Sequence, residues 1–464
     1  MRTNNSNGRH RSTIRHLGAV ALAAMVMVPL GCANPFDTSV ANPNAVVETA
    51  LADAAGATTL VNGQGASVTR ALTAILAPYS VATDELTWVG SREFWKSLDD
   101  GDVSDPVNEY TDGAFPFVTE ARWLSNFAIA RVESFQVAGT LRNRRDLART
   151  NIFGAIIYIT IGDMFDDFVL ASDRTVAAGA VGTANMPIFY DSAIAMLDRA
   201  LPIAVAVADV ELRRQVLGLR ARAKFSKASR ATVFPARTVP GNPLVNDAGA
   251  VADATAMLAL GGGTAVTWRY RLTPTANNLA GINLGFELNN RGELLAGLTF
   301  IVPDPARPIV PLPGLPGIRM IDPVTGVASA TIANAINDCC RPAVGNNVPM
   351  TVVSAREMYL IIAESRLAAA DNPGFLTNLN LSRTADGLPG YPDATGPNIK
   401  LQYERKTQLF LQGRRLMDMY RFGAADTRWL TGVGVRGRCL LPITYIERLT
   451  NTQAPQPNNT RLCN

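Results

Sequence analysis

Apolar residues recur at spacings of three and four along much of this chain, the period of a helix with one buried face. "NAVVETALADAAGATT" and "SVTRALTAILAPYSVATDEL" carry the pattern. "EARWLSNFAIARVESFQ" repeats it through Trp123, Phe127, Ile129 and Val132. "LARTNIFGAIIYITIGDMF" is apolar nearly all round, which predicts a helix buried on every side. "YDSAIAMLDRALPIA" and "ELRRQVLGLRARAKFSKAS" follow, each the length of one arm of a helical hairpin. The succession resembles tetratricopeptide pairs, with a degenerate consensus. The pattern lapses over residues 235–349, which are rich in Pro, Gly and Asn, the residues of loops. A loop-rich lobe is expected there, with a short strand pair near Trp268–Leu272 and Leu298–Val302.

Helical spacing returns in "SAREMYLIIAESRLAAAD", where Ser354 and Glu357 have the spacing of a capping box. It continues through "GFLTNLNLSRTADGLPGYP" to "YERKTQLFLQGRRLMDMYRFG", from Tyr403 to Gly423. Read as one helix, this last stretch puts Leu409, Gly413, Leu416 and Tyr420 on one face. Gly413 then implies close approach of another helix. Arg414 and Asp418, four apart, are expected to pair on an exposed margin, where such a pair contributes only about 0.3–0.5 kcal/mol. The stretch is read as a structural girder.

The N-terminus changes the charge balance. Arg2, Arg9, Arg11 and Arg15 precede the apolar run "LGAVALAAMVMVPLGC", and residues 1–31 hold no acid. Basic start, short apolar middle and small residues before a Cys predict a secretory signal peptide, since a membrane span needs about 20 apolar residues. "PLGC" resembles the lipobox of bacterial lipoproteins, with Pro29 where Leu is usual, so Cys32 is the expected lipidation site. The whole chain has 43 basic and 39 acidic residues; without the four signal arginines, 39 face 39. A neutral chain lacks the clustered Lys and Arg that nucleic acid requires. Both histidines, His10 and His16, fall in the signal. The remainder therefore has no Ser-His-Asp or Cys-His nucleophile system and no His zinc site. Four of the 5 cysteines remain after Cys32: Cys339, Cys340, Cys439 and Cys463. In an exported chain two disulfides are plausible. The adjacent pair is expected to bond outward to Cys439 and Cys463, because a vicinal bridge is strained.

The candidate chemistry is aromatic. Sugars are held by flat rings with a few orienting polar groups. Of the 5 tryptophans, Trp123 and Trp429 have the surroundings of core residues. Trp88 and Trp95, in "DELTWVGSREFWKSLDDGD", and Trp268 and Tyr270, in "TWRYRL", are the ligand-binding candidates. The acid clusters "DMFDDF" and "SLDDGDVSD" lack a calcium-loop pattern, so no metal is expected. No phosphate-binding glycine loop appears, and no cofactor is expected.

The signature residues Glu404, Arg405, Gly413, Arg415, Asp418 and Arg421 resemble the C-terminal motif of SusD/RagB-like outer-membrane lipoproteins, with Gln412 where that family usually has Glu. "AREMYLIIAESRLAAAD" is similar to a second family block through Glu357, Tyr359, Leu360, Ala363 and Glu364. "NLSRTADGLP" and "LLPITYIERLTNT" resemble two more, with Thr444 in place of a Pro. The resemblance implies a mainly α fold, a tetratricopeptide-like scaffold carrying a loop-rich lobe with little β. Its expected boundaries are a signal peptide at 1–31, a tether at 32–45 and a single domain at 46–464. Within that domain the scaffold is 46–234 and 350–425, and the loop-rich insert is 235–349. The resemblance also implies a surface lipoprotein held in the outer membrane by its lipid. It would bind an oligosaccharide or peptide without chemistry and pass it to a SusC-like TonB-dependent transporter. The alternatives are a carboxylate-dependent surface glycosidase, or a helical scaffold that binds only a protein partner.

Overall fold

The computed structural model describes residues 53–171, 177–260, 266–275, 283–302 and 317–461. Cys32, Cys463, the expected signal and the expected tether lie outside them. The described helices begin with α1 (Ala57–Val81), α2 (Glu93–Asp99), α3 (Glu109–Val137), α4 (Arg144–Met164), α5 (Ile188–Ala206), α6 (Val210–Val233) and α7 (Ala248–Ala259). They continue with α8 (Ala330–Cys339), α9 (Ala355–Ala368), α10 (Asn372–Arg383), α11 (Pro397–Gln408), α12 (Arg415–Arg421) and α13 (Tyr445–Thr450). Four short strands complete the set: β1 (Leu86–Trp88), β2 (Arg269–Leu272), β3 (Leu294–Ala296) and β4 (Met350–Ser354). The fold is mainly α, with β1 paired antiparallel to β3 and β2 antiparallel to β4.

Helices adjacent in sequence pack on one another: α3 on α4, α4 on α5, α5 on α6, α6 on α7, and α9 on α10. Short connections favour such antiparallel neighbours. Starts are fixed by side-chain caps. Asn108, Asn143, Asp209, Asp247 and Asp371 each accept a backbone N–H from the first turn of α3, α4, α6, α7 and α10. A cap of this kind contributes about 1 kcal/mol. Every residue of α4 from Thr150 to Met164 is buried, as its all-round apolar character requires. The main core runs through α1, α3, α4, α5 and α6, and a second cluster joins Leu360, Phe375, Leu379, Tyr391 and Leu401 across α9, α10 and α11.

Four expectations change. First, residues 403–423 form two helices. Leu411 and Gly413 have φ of 53° and 74°, in the left-handed region, so the chain breaks between α11 and α12. The expected close approach at Gly413 is present, since a Cβ there would lie 2.5 Å from Met164 Cε, but it occurs in the turn. The break directs Arg414 to Glu357 and Arg415 to Asp84, on different elements. Arg414 therefore does not pair with Asp418, and neither residue lies on an exposed margin. Second, Ser354 caps α9 by accepting from Glu357 N–H, but the Glu357 carboxylate turns to Arg414 and leaves the reciprocal half of the capping box unmade.

Third, the strand at Trp268–Leu272 does not pair with Leu298–Val302. Its partner is β4, far along the chain, while Ile301 bridges to Ile318. The insert also holds two helices, α7 and α8, and α7 packs on α6 and α9. Fourth, Cys339 and Cys340 are bonded to each other, with Cα atoms 3.7 Å apart. Cys339 ends α8 and Cys340 caps it with φ −122° and ψ 50°, so the chain leaves the helix between the two buried residues. Cys439 is disulfide-bonded as well. It sits elsewhere in the core, its carbonyl accepting the Tyr420 hydroxyl.

Candidate functional site

The motif charges are buried and locked together. Arg421, fully buried, donates to both Glu364 oxygens and, through Nε, to Asp418 Oδ1 at 2.9 Å. Arg405 Nε reaches the other Asp418 oxygen at 2.9 Å, and its Nη1 lies 3.6 Å from Glu364. The four side chains close a ring of alternating charge on the face of Phe225, which lies 4.9 Å from the Arg405 guanidinium and 5.7 Å from that of Arg421. Around this ring, Arg414 grips Glu357 bidentately at 2.8 and 2.9 Å, and Arg415 grips Asp84 at 2.6 and 2.9 Å. Arg383 joins Glu404 to Asp322. Burial raises the carboxyl pKa of Asp418, but Arg405 and Arg421 outweigh it and hold the group below the usual range. Glu357 is held down by Arg414 in the same way. Buried charges demand such pairing. The six signature residues thus join α9, α10, α11 and α12, and the cavity beside Arg405, Gly413 and Asp418, about 20 Å³, has room for little more than a water.

The acid clusters are likewise engaged. Asp163 accepts from Arg222 and Tyr190, Asp166 pairs with Arg237, and Asp99 with Arg428. Among the described residues, no three His, Cys, Asp or Glu side chains gather as a metal site.

The four aromatic candidates separate into two places. Trp95 is 0% exposed and stacks on Tyr110 with ring centroids 3.6 Å apart. It is a core residue and offers a ligand no surface. Its position on α2 at the inner face explains this, since Leu98 beside it is buried too. Trp88, half-buried, ends β1 opposite Leu294. Glu293 pins the turn after it by accepting from Ser91 and Arg92 N–H at 2.9 and 3.0 Å. Gly90 is required there, because a Cβ would lie 2.1 Å from the Glu293 carboxylate.

Trp268 and Tyr270, two apart on or beside β2, face α4 and α6. Tyr270 lines a groove of about 240 Å³ with Arg149, Ile152 and Phe153 of α4 and Leu212 and Gln215 of α6. Its lining mixes apolar Ile152, Phe153 and Leu212 with polar Arg149 and Gln215. Trp268 Nε1 donates to Glu211 at 2.9 Å, and Gln215 donates to the same carboxylate at 3.1 Å, so Glu211 fixes both. Arg149 is held by Asp146 and Asn62 at 3.0 and 2.7 Å. Burial lifts the Tyr270 phenol above its ordinary range, so it remains a neutral hydrogen-bonding group. Fixed aromatic faces beside an amide and a guanidinium can receive one ring of a polar ligand. A wider groove of about 470 Å³, between Pro323, Tyr391, Ile399 and Tyr403, is apolar, and its Lys400 is already held by Asp393 at 2.9 Å. Trp268 and Tyr270 stand out in the sequence as candidates, but the Arg149, Gln215 and Glu211 that lie beside them do not. They come from distant helices, and no local spacing marks them.

Comparisons with known proteins place this architecture. A crystal structure of a SusD superfamily protein from Bacteroides vulgatus ATCC 8482 superposes with TM-score 0.59 at 11% identity, covering 87% of this chain and 98% of that one. One from Bacteroides thetaiotaomicron VPI-5482 gives TM-score 0.59 at 12% identity, covering 88% and 100%. A SusD-like carbohydrate binding protein from Bacteroides vulgatus ATCC 8482 gives 0.56 at 12%, covering 88% and 98%. No family model and no curated protein matches. At this level of identity the likeness is one of fold, it spans nearly the whole of each relative, and the fold of this chain is the SusD-like fold.

Proposed function

We propose that this chain is a lipid-anchored protein of the outer membrane that binds oligosaccharide or peptide nutrients and hands them to a TonB-dependent transporter. The observation that carries the reading is the SusD-like fold. One of the neighbours is described as a carbohydrate binding protein, which favours a glycan over a peptide. The groove at Tyr270, lined also by Phe153, Arg149 and Gln215, supplies a fitting place, and Trp268 is held nearby by Glu211 on α6. Binding there needs no covalent step. The "PLGC" sequence supports attachment through Cys32, and the resemblance of the C-terminal motifs supports the transporter partner.

The test is to express the full chain with Cys32 in its source cells, solubilise the outer membrane gently and identify what co-purifies. A TonB-dependent barrel in the eluate supports capture and handover. A protein recovered alone in the soluble fraction overturns the membrane and transporter parts of the reading. A parallel calorimetric screen of oligosaccharides and peptides decides the ligand class, and release of new reducing ends would instead favour a hydrolase.

A further inference from the structure

β2 serves two different surfaces. Trp268 and Tyr270 look toward α6, whereas Arg269 and Arg271 both reach Asp338, at 3.2 and 2.8 Å, near the end of α8. Alternation along a strand produces this division. On the Arg269 side lies a cavity of about 50 Å³. Its lining includes Arg356, Gln408 and Gln412 as polar residues and Cys339, Met350 and Phe410 as apolar ones.

Three polar atoms in this lining lack a partner: Arg356 Nε, Gln408 Oε1 and Gln412 Oε1. Arg356 is 5% exposed and Gln408 4%. Their orientations are fixed by the bonds they do make. Gln408 Nε2 donates to Ser382 and Glu404 at 2.9 and 2.6 Å, and Gln412 Nε2 donates to the Gln408 carbonyl at 2.9 Å. Both amide oxygens therefore remain as acceptors. Arg356 spends Nη2 on Asp386 at 2.7 Å, leaving Nε as a donor. Buried groups left in this state are costly, so they call for a partner.

The partner must offer two donors and one acceptor in a space for about three oxygen-sized groups, at roughly 10–15 Å³ each. Two neighbouring hydroxyls meet that requirement. Each donates to one amide oxygen, and one of them also accepts from Arg356. Cys339, Met350 and Phe410 supply apolar surface beside those hydroxyls, while the ring that carries them stays at the mouth. We propose that this cavity is a subsite for the vicinal-diol edge of a sugar, with the vicinal disulfide forming part of its apolar wall. The inference rests on the glycan-binding reading above and assigns a second place where a glycan is gripped.

Two variants of the full chain test it. Gln412→Met removes one acceptor at a half-exposed position, and Ala335→Leu, on α8 in the same lining, fills the space without deleting any hydrogen bond. Heptasaccharides of α-1,4-glucan, β-1,3-glucan, β-1,4-xylan and α-1,6-mannan are titrated into wild type by calorimetry, and the tightest is carried to the variants. Either variant that keeps the wild-type Tm is expected to weaken binding about ten-fold, the effect of one lost buried hydrogen bond. Unchanged affinity at unchanged Tm, with binding still weakened about ten-fold in Trp268→Ala, overturns the subsite. The cavity then holds only water, and the glycan reading stands. Failure of wild type to bind any of the four sugars counts against both.

Discussion

Arg421 and Arg356 are both buried guanidiniums, yet they stand in different surroundings. Arg421 faces Glu364 and Asp418 and also donates to the Pro243 carbonyl at 2.8 Å. Arg356 has Asp386 alone and an Nε without a partner, beside amide oxygens in the same condition. In the first arrangement charge answers charge, and of the four side chains only Arg405 keeps an atom, Nη1, without a hydrogen bond. The second is incomplete. The two lie close along the chain, since α11 contributes Glu404 and Arg405 to the motif lattice and Gln408 to the cavity lining. The difference teaches where to look for function in a scaffold dense with charge. The buried pairs hold the fold, and the unanswered polar atoms mark where something else belongs.

The largest effect expected from breaking the closed side is Arg421→Ala, which strands Glu364 and Asp418 in the interior. Stability should fall by about 3–5 kcal/mol, read from the midpoint of urea unfolding. A loss below about 1 kcal/mol would mean that the ring is not closed as described. Gly413→Ala comes next. It places a Cβ at φ 74° and 2.5 Å from Met164 Cε, and a cost of about 2 kcal/mol should appear in the same measurement.

Glu85 sharpens the comparison, because it is a buried acid beside the lattice without an arginine bonded to it. Its Oε1 accepts from Leu411 N–H at 2.8 Å, in the turn between α11 and α12. Burial pushes its pKa from 4.5 up to about 8. The folded state therefore holds this proton more tightly than the unfolded chain does. The stability it contributes is fully present below pH 4.5 and is lost as pH rises toward about 8. Glu85→Gln keeps the acceptor and removes the titration. It should add on the order of 2 kcal/mol at pH 8 and almost nothing at pH 4.5, measured as a stability–pH profile. A profile parallel to that of wild type would exclude Glu85 as the source of the slope. The smallest effect is on the open side. Trp268→Ala should leave Tm within about a degree of wild type yet raise Kd for a bound glycan about ten-fold, or about 1.4 kcal/mol. An unchanged Kd would remove this groove from the binding surface.

Much of the fold was legible from local pattern. The all-round apolar character of residues 147–165 identified a buried helix, and Ser354 announced the start of α9. Where the pattern misled, a distant partner had overridden it. Residues 403–423 have unbroken helical spacing, yet Leu411 N–H bonds to Glu85 and Gly413 meets Met164, so the chain turns there. Trp95 and Trp268 both sit among polar neighbours in sequence. Only packing buries the first against Tyr110 and leaves the second half-buried, bonded to Glu211.

By itself the sequence determined the helical periods, the cap residues and the types of residue in the C-terminal motif, because these depend on chemistry within a few positions of the chain. Tertiary structure alone decided which carboxylate each arginine meets, that Cys339 bonds to Cys340, and that Gln408 and Gln412 present unanswered oxygens to one cavity. Those outcomes depend on the conformation and surroundings that the whole fold imposes, on adjacent groups such as Cys339 and Cys340 as much as on remote ones such as Arg415 and Asp84. No spacing in the sequence encodes such a meeting, because the folding of the whole chain sets the distance between them.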